Sequence, residues 1–378
     1  MHIRKNKGRT EQSFLSVARI LCVLLLLIQG SLSWGQPAPP RAAPTRAALT
    51  ALMQQANVPG MQLVYSSKGR VNAYALGVRT AGQPALVDAS TTFEAASLGK
   101  AVLAYIALRL LDRGLLDLDK PLLSYAAYPR LQGVPNADKI TGRMVLGHTA
   151  GLPNWATNPL SPEWPTSPLR LKYAPGSCWN YSGEGYVLLQ ATLEYLTGKS
   201  LQTLATEEVF KPLKMKHSSF VWREQFAANT ASGHDGKGLP VAISHFLAPY
   251  GAFSLLSTAA DYSRFSQALM TGRGLQPATA QLLLTPANEA RRCGAPVTAT
   301  DSFVAWACGV GLATTTQGLA QWQWGDNGSF KGFYMALPGK QESLVLLTNS
   351  SNGPKMVDAL IGLFYGPGDY RALQWLAE

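Results

Sequence analysis

Hydrophobic and polar residues alternate with two different periods along this chain, and each period dominates a different region. Near the N-terminus, two runs rich in β-branched and aromatic residues, 61–66 and 70–78, are joined through a short Ser-Lys-Gly segment, a pattern typical of an antiparallel hairpin. Three more strand-like runs, 319–324, 330–336 and 343–348, lie near the C-terminus with turns between them. We therefore expect the hairpin and the C-terminal runs to share one antiparallel sheet, which does not begin with a βαβ unit.

The chain between these strands has mostly helical periodicity. From Ser97 onward, apolar residues recur three and four positions apart until Gly114, which predicts a helix with a buried face. Further helices are predicted at about 47–57, 184–197, 200–210, 258–272 and 354–365. Residues from about 115 to 250 are rich in helices and loops and indicate a helical lobe. The predicted fold is α+β, an α/β sandwich in which helices flank an antiparallel sheet of five or more strands and the helical lobe is inserted in the sheet lobe.

The first 35 residues have the pattern of a secretory leader. Four basic residues within the first nine precede an apolar run from Ile20 to Ile28, which is much shorter than the roughly 20 residues that span a bilayer. We predict a signal peptide over residues 1–35, cleaved near Gly35, then a Pro/Ala linker over 36–46 and one domain over 47–378. The mature protein is expected to be secreted or periplasmic and to have no membrane span, and an uncleaved anchor is the alternative.

Composition narrows the classes of partner. The 378 residues include 33 Lys and Arg against 22 Asp and Glu, a formal charge of +11. The basic residues are scattered singly, so no nucleic-acid-binding surface is expected. Histidine and cysteine show no metal-ligand spacing, so no metal is expected either. Of the cysteines beyond the leader, Cys178, Cys293 and Cys308, we expect the last two to form a disulfide, although the sequence leaves the pairing open.

The candidate chemistry lies at the start of the helix that follows Ser97. Ser97 and Lys100 are three residues apart and share a helix face, so the lysine amine can reach the serine hydroxyl. A lysine acts as a base only when burial or a neighbouring cation lowers its pKa. Serine is also a common residue at helix N-termini, so an ordinary helix start is the structural alternative.

Five segments then occur in a recognisable order: TTFEAASLGK, ITGRMVLGHTAGLPNW, YAPGSCWNYSGEGYVLLQ, EVFKPLKMKHSSF and SLLSTAADYSRF. With them the chain resembles the serine β-lactamase and penicillin-binding protein superfamily, nearest the branch of class C β-lactamases and D-alanyl-D-alanine carboxypeptidases. The resemblance covers nearly the whole chain after the leader and implies the β-lactamase/transpeptidase fold. It also implies an acyl-enzyme on Ser97, with Lys100 and Tyr181 as proton-transfer partners. A nearby ammonium group such as that of Lys100 is expected to favour the phenolate of Tyr181.

The chain departs from the pattern of this branch among its expected substrate-binding residues. Gly183 stands where the branch often has an asparagine, whose amide would bind the substrate or the lysine. The segment Gln323-Trp324-Gly325 has a neutral residue where the family carries Lys or His, so binding of a substrate carboxylate is expected to be weaker. In this register the backbone N–H groups of Asp326 and Ser97 form the oxyanion hole. The competing register is Asp326-Asn327-Gly328, and Lys331 is near enough in sequence to replace the missing cation in either case.

The sequence thus predicts an exported serine hydrolase that acts on an amide or an ester, namely a peptidoglycan-type D-amino-acid peptide, a β-lactam or a small ester. Gly183 and Gln323 argue against an efficient β-lactamase. No metal or organic cofactor is implied, the expected partner is the substrate, including a cell-wall peptide, and the oligomeric state stays open. The alternative is a noncatalytic or barely deacylating penicillin- or peptidoglycan-binding protein of the same fold. His148 and Trp155 lie in a segment that is expected to be structural, although aromatic residues there could instead line a cleft.

Overall fold

The computed structural model describes residues 43–378, so the predicted signal peptide and most of the predicted linker lie outside the described residues. The strands are β1 (Gly60–Ser67), β2 (Arg70–Gly77), β3 (Phe93–Ala96), β4 (Gly233–His234), β5 (Pro240–Val241), β6 (Leu255–Ser257), β7 (Val304–Trp306), β8 (Gly311–Thr315), β9 (Gly318–Asp326), β10 (Lys331–Leu337) and β11 (Glu342–Thr348). The α-helices are α1 (Arg46–Ala56), α2 (Gly99–Asp112), α3 (Gly142–Leu146), α4 (Gly183–Thr197), α5 (Leu201–Ala205), α6 (Ala259–Thr271), α7 (Pro277–Gln281), α8 (Val357–Tyr365) and α9 (Ala372–Ala377). A π-helical turn, Thr206–Phe210, extends α5, and a 3₁₀ turn, Gly353–Met356, precedes α8.

A seven-stranded antiparallel sheet forms the centre of the fold, with the strand order β2-β1-β11-β10-β9-β8-β7. The N-terminal hairpin joins the C-terminal strands through β1 and β11, where Met61 pairs with Thr348. This arrangement confirms the predicted α+β class and the shared antiparallel sheet. The strands β3 and β6 form a separate two-stranded sheet, as do β4 and β5.

Helices cover both faces of the large sheet. Successive residues of a strand point to opposite faces, and in β1 Leu63 belongs to the apolar cluster that contains Leu49 of α1 and Leu360 of α8. The next residue, Val64, belongs to the second apolar cluster, which contains Phe265 of α6 and most of α2. The sheet is therefore buried on both faces, and six of the seven residues in β10 and in β11 are buried.

The helix α2 lies within the second cluster and is buried on almost every side. It contacts α4 and α5, so it stands between the sheet and the helical part of the chain. A helix that is apolar all round fits such a site because no face meets solvent. No helix within residues 43–378 has the length and apolar character that a membrane crossing requires.

The predicted disulfide between Cys293 and Cys308 is wrong. Cys178 is bonded to Cys293, and Cys308 is a buried free thiol. The backbone explains the pairing, because the N–H of Trp179 donates to the carbonyl oxygen of Arg291 at 2.7 Å and the N–H of Cys293 donates to that of Trp179 at 2.9 Å. These two hydrogen bonds lay the segments side by side and bring Cys178 and Cys293 within reach of each other.

Candidate active site

Ser97 lies at the junction between β3 and α2. The residue before it, Ala96, has a φ of 51°, in the left-handed region that is uncommon for residues other than glycine. The helix itself begins at Gly99, and its N-terminus has no side-chain cap. The Ser97 hydroxyl is instead 3.2 Å from the carbonyl oxygen of Ala252, to which it donates. Ser97 therefore does not cap the helix, and the interpretation of this serine as an ordinary helix N-terminal residue is not supported.

Lys100 faces the same hydroxyl. Its Nζ donates to Ser97 Oγ at 3.1 Å and to the carbonyl oxygen of Ala252 at 2.7 Å, and only 1% of the residue is exposed. Within residues 43–378 no carboxylate forms an ion pair with it. Burial lowers the pKa of Lys100 to about 7, because the charged amine has lost its water without gaining an anion. A large share of Lys100 is consequently uncharged at neutral pH.

Aromatic rings surround the Lys100 amine. Its Nζ is 4.8 Å from the ring centroid of Tyr181, 5.7 Å from that of Tyr186 and 5.9 Å from that of Trp155. The ring faces stabilise the ammonium form through cation–π attraction, although more weakly than a carboxylate would. These rings also separate the amine from solvent.

Tyr181 lies between Lys100 and the strand β9. Its ring packs on His148 and on Trp324, with centroid distances of 4.4 Å and 4.7 Å, and Gln323 Nε2 donates to its hydroxyl at 3.5 Å. Burial raises the pKa of Tyr181 well above its usual value, and its hydrogen bonds with Ser97 and Gln323 only partly offset this. The expectation that Lys100 would favour the phenolate is thus wrong, because burial and, to a smaller extent, the negative charge of Asp326 raise the pKa and favour the protonated phenol.

His148 is a fully buried neighbour of this tyrosine. Its Nδ1 accepts a hydrogen bond from the backbone N–H of Ser182 at 3.1 Å, which leaves the proton of the neutral ring on Nε2. Burial and the charge on Lys100 hold the pKa of His148 well below its usual value. The imidazole therefore acts here as an uncharged ring that supports the Tyr181 phenol.

The segment Gln323-Trp324-Gly325 lies on β9 opposite the serine. The Gln323 side chain is buried and directed at Tyr181, so the first register of the third motif places a neutral amide at this point. A Cβ on Gly325 would lie 2.4 Å from the carbonyl oxygen of Ala95, so only glycine allows β9 to approach β3 this closely. Asp326 ends the strand and is exposed, and its carboxylate forms an ion pair with Lys331. Lys331 is therefore not a free replacement for the missing cation.

Beside Gly183, the indole of Trp155 fills the space that a side chain at position 183 would need, and the sequence did not reveal this. A Cβ on Gly183 would lie 2.3 Å from Cη2 of Trp155 and 2.4 Å from Cζ2, so the indole occupies the space into which a side chain at position 183 would extend. Edge-to-face contacts with Trp164 and Phe253, at centroid distances of 5.7 Å and 5.5 Å, hold the indole in place. Nothing in the spacing of Trp155 and Gly183 along the chain indicates this contact.

A cleft of about 400 Å³ opens onto Ser97 and Tyr181. Its apolar wall comes from Trp155, Pro159, Leu160, Phe246, Phe253 and Trp324, and the rest of the lining is polar and includes Asn154, Asn158, Ser244 and Asn327. The acidic residues on the lining are Glu94 and Asp326, and within the described residues no lysine, arginine or histidine belongs to it. The carboxylate of Glu94 accepts from the N–H of Ser244 at 2.8 Å and from Nδ2 of Asn327 at 2.6 Å, and burial raises the pKa of this carboxyl above its usual value.

The structure thus brings Ser97, Lys100, Tyr181 and Gln323 together, with Gly183 and Gly325 at the points of closest backbone approach. Sequence reasoning missed Glu94 as part of the cleft and left open whether Trp155 lines it. Among residues 43–378, no group of three or more His, Cys, Asp or Glu side chains is arranged to hold a metal ion.

The sheet, its helices and the serine–lysine pair at the cleft define a protein of the β-lactamase/transpeptidase type. The Beta-lactamase family model matches residues 45–363, and the chain belongs to this family. It is 28% identical to a Beta-lactamase of Yersinia enterocolitica over 60% of this chain and 59% of that protein. It is 27% identical to Esterase EstB of Burkholderia gladioli over 82% of this chain and 92% of the esterase. A solved class C beta-lactamase superposes with a TM-score of 0.68 at 21% identity, covering 82% of this chain and 94% of that one, and shows the fold alone.

The resemblance inferred from the ordered segments and the predicted fold are both confirmed by these matches. The chain spans only about half the length of several of the curated relatives it matches, for example 51% of a putative penicillin-binding protein of Bacillus subtilis and 41% of Protein flp of Staphylococcus aureus.

Proposed function

We propose that the protein is an exported serine hydrolase that forms an acyl-enzyme on Ser97 and then hydrolyses it with water. The observation that carries this proposal is the hydrogen bond between the Ser97 hydroxyl and the Lys100 amine, 3.1 Å long, in a site where the lysine is buried without a counter-ion. The proposed substrate is an amide or an ester. Family membership supports this class, since relatives of the chain bear the names beta-lactamase, penicillin-binding protein and esterase.

Acylation begins when Ser97 Oγ attacks the carbonyl carbon of the substrate. The hydroxyl proton passes to the neutral amine of Lys100, whose pKa of about 7 suits a base that works near neutral pH. Tyr181 keeps its proton in the resting site and can give it to the leaving oxygen or nitrogen, then recover one from Lys100. The scissile bond breaks, the alcohol or amine leaves with its proton, and the acyl group stays on Ser97.

The backbone N–H groups of Ser97 and Asp326 are the proposed donors to the developing oxyanion. Both residues line the cleft, and backbone donors act whatever side chain they carry. The Gly325 contact with Ala95 fixes the separation of the two segments, so both donors are positioned before the substrate arrives.

Deacylation repeats the proton transfers in reverse. A water molecule attacks the acyl carbon, gives one proton to the Lys100–Tyr181 pair and supplies the hydroxyl group of the released acid. That proton returns to Ser97 Oγ as its bond to carbon breaks. Removal of one member of such a unit reduces the rate by several orders of magnitude.

The experiment that tests the proposal is the intact mass of the mature protein over time with a phenyl ester and with a penicillin. The wild-type protein is expected to gain one acyl group and to lose it as product accumulates, and Ser97→Ala is expected to do neither. Ser302→Ala, an exposed serine outside this cleft, is the matched control and should behave like the wild type.

The remaining outcomes would each contradict part of the proposal. An adduct on Ser97 that persists would indicate a penicillin-binding protein that barely deacylates. Binding without any adduct or product, unchanged in Ser97→Ala, would indicate a noncatalytic protein of the same fold.

A further inference from the structure

The charges around the cleft are unfavourable for an anionic substrate. Its lining contains the carboxyl groups of Glu94 and Asp326 and, within residues 43–378, no basic side chain. Lys331 lies near the mouth but is already paired with Asp326. Gln323, at the start of the third motif, is 1% exposed and its Nε2 is directed at Tyr181. A carboxylate that entered the cleft would lose its water without gaining an ionic partner, which is costly.

Several polar side chains on the lining already make hydrogen bonds within the protein. Asn327 donates to Glu94 at 2.6 Å and to the carbonyl oxygen of Phe253 at 3.2 Å. The side-chain oxygen of Asn154 accepts from the N–H of Gly183 at 3.0 Å, and that of Asn158 accepts from the N–H of Leu160. These oxygens and the Asn327 amide cannot turn to a polar acyl group without giving up a bond within the protein, so among these three amides the neutral Nδ2 groups of Asn154 and Asn158 are the donors left for a substrate.

An apolar surface replaces the missing amide at position 183. The Trp155 indole fills that space and is held between Trp164 and Phe253. At the rim, Leu160 is 64% exposed although it lines the cleft, so a bound acyl chain would cover it. Apolar area that is removed from water on binding contributes roughly 25 cal/mol per Å².

We propose that the cleft selects esters whose acyl group is apolar and uncharged and rejects acyl groups that carry a carboxylate. Trp155 supplies the wall against which the acyl group packs, Glu94 and Asp326 disfavour an anion, and Gln323 provides no cation to offset them. This preference presupposes the acyl-enzyme on Ser97, because it concerns the substrate of the same cleft.

Two nitrophenyl esters that differ at one end test this preference. In p-nitrophenyl hydrogen succinate a carboxylate stands where p-nitrophenyl butyrate has a methyl group. The wild-type protein is expected to hydrolyse the butyrate with a kcat/KM about tenfold or more above that of the succinate. Equal values, or a preference for the succinate, would overturn the proposal.

Two charge variants identify the groups responsible. Gln323→Lys is expected to lower the butyrate-to-succinate ratio at least about fivefold, because it introduces a cation beside Tyr181, which lines the cleft. Asp326→Asn should shift the ratio in the same direction, since it removes an anion and frees Lys331. Gln54→Lys makes the same chemical change at an exposed position of α1 outside the cleft and should leave the ratio unchanged. Ratios that stay unchanged in both cleft variants would show that neither group controls the selection.

Trp155 is tested by a conservative pair. Trp155→Phe should retain most of the butyrate kcat/KM, whereas Trp155→Ala should lose about tenfold or more, mainly through KM. A loss confined to kcat in both variants would contradict a packing role.

The proposed function and the substrate preference are contradicted by different results. Hydrolysis that persists in Ser97→Ala would contradict the proposed function. Hydrolysis that depends on Ser97 but favours the succinate would remove only the substrate preference.

Discussion

Lys100 is a buried amine with which no carboxylate among residues 43–378 forms an ion pair. Its partners are a hydroxyl, a carbonyl oxygen and the faces of aromatic rings, which satisfy its hydrogen bonds but do not neutralise its charge. Buried lysines in such surroundings lose their proton near neutral pH, and the protein is less stable for it. A residue whose burial destabilises the folded protein, but whose lowered pKa suits it to accept a proton, is expected at a catalytic site.

The first prediction concerns the pH dependence of hydrolysis. Lys100 must be unprotonated to accept the serine proton, and its pKa is about 7, so kcat/KM for a neutral ester should rise with pH and level off above about pH 8. The raised pKa of Tyr181 keeps the phenol protonated over this range, so no fall is expected near its usual value of about 10. The measurement is kcat/KM for p-nitrophenyl butyrate between about pH 5.5 and about pH 9. A flat profile below pH 8 would contradict the role of Lys100 as the base.

The second prediction concerns stability and uses the same residue. The pKa of Lys100 is near 10.5 in the unfolded chain and about 7 in the folded protein, so between these values the unfolded state binds the extra proton. The penalty is therefore fully present below about pH 7 and is relieved as the pH rises toward about 10.5. Lys100→Met should raise the free energy of unfolding by a few kcal/mol at pH 6.5 and by less at pH 9.5, while hydrolysis is lost. Urea unfolding at the two pH values measures this, and a wild-type protein that is more stable than Lys100→Met at pH 6.5 would refute it.

At the scale of the elements, the site depends on how closely β9 and β3 approach each other. The strand β3 leads directly into Ser97, and β9 carries Gln323 and the amide of Asp326, so the gap between the strands sets the distance from the proposed nucleophile to the proposed oxyanion donor on Asp326. Gly325 permits the contact, because its missing side chain makes room for the carbonyl oxygen of Ala95. The geometry of the cleft is therefore a property of two strands from distant parts of the chain.

The third prediction follows from this contact. Gly325→Ala places a Cβ 2.4 Å from the Ala95 carbonyl oxygen, so the strands must separate. We expect a loss of about 1–3 kcal/mol in stability and a fall in kcat of tenfold or more, because the oxyanion donors move away from Ser97. Gly339→Ala is the matched control, since nothing lies within 4 Å of its added Cβ. Thermal unfolding and ester kinetics are measured on both variants. Equal stability and equal kcat in Gly325→Ala and Gly339→Ala would contradict the role of the strand contact.

Long, regular elements could be predicted from the sequence, and short or irregular ones could not. The hairpin of β1 and β2, the helix α6 and the strand β11 lie within a residue or two of their predicted positions, because each shows one clear period over many residues. Strands β7 and β8 were missed, since they are only 3 and 5 residues long. The four-residue strand β3 was only suggested by the strand-like segment before Ser97.

Within the site, the serine, the lysine and the tyrosine could be found because they lie in ordered motifs. The packing of Trp155 into the space beside Gly183 could not be predicted, because it depends on contact between two segments that are distant in the sequence. The disulfide pairing was predicted wrongly for the same reason, since the backbone hydrogen bonds of Trp179 that align the two cysteines have no signature in the sequence.

At the scale of the whole molecule, the site draws on three segments that are far apart in the chain. Ser97 and Lys100 come from the β3–α2 junction, Tyr181 from the segment before α4, and Gln323 from the sheet. The segment before α4 has no strand of its own to hold it. One side of it is attached through the hydrogen bonds of Trp179 and the disulfide between Cys178 and Cys293, and the other through the N–H of Asn180, which donates to the carbonyl oxygen of His148 at 2.7 Å.

The fourth prediction concerns that disulfide. The bond closes a loop between residues separated by 115 positions, and a cross-link across a loop of this size restricts the unfolded chain strongly. The double variant Cys178→Ser/Cys293→Ser should lose about 2–5 kcal/mol of unfolding free energy. Tyr181 lies three residues from the bond and also packs on His148 and Trp324, so hydrolysis at low temperature should fall by no more than a few fold. Urea unfolding and ester kinetics, with Cys308→Ala as the control that keeps the bond, provide the measurement. Unchanged stability in the double variant would show that the hydrogen bonds of Trp179 suffice, whereas complete loss of hydrolysis in a folded double variant would show that the disulfide itself positions Tyr181.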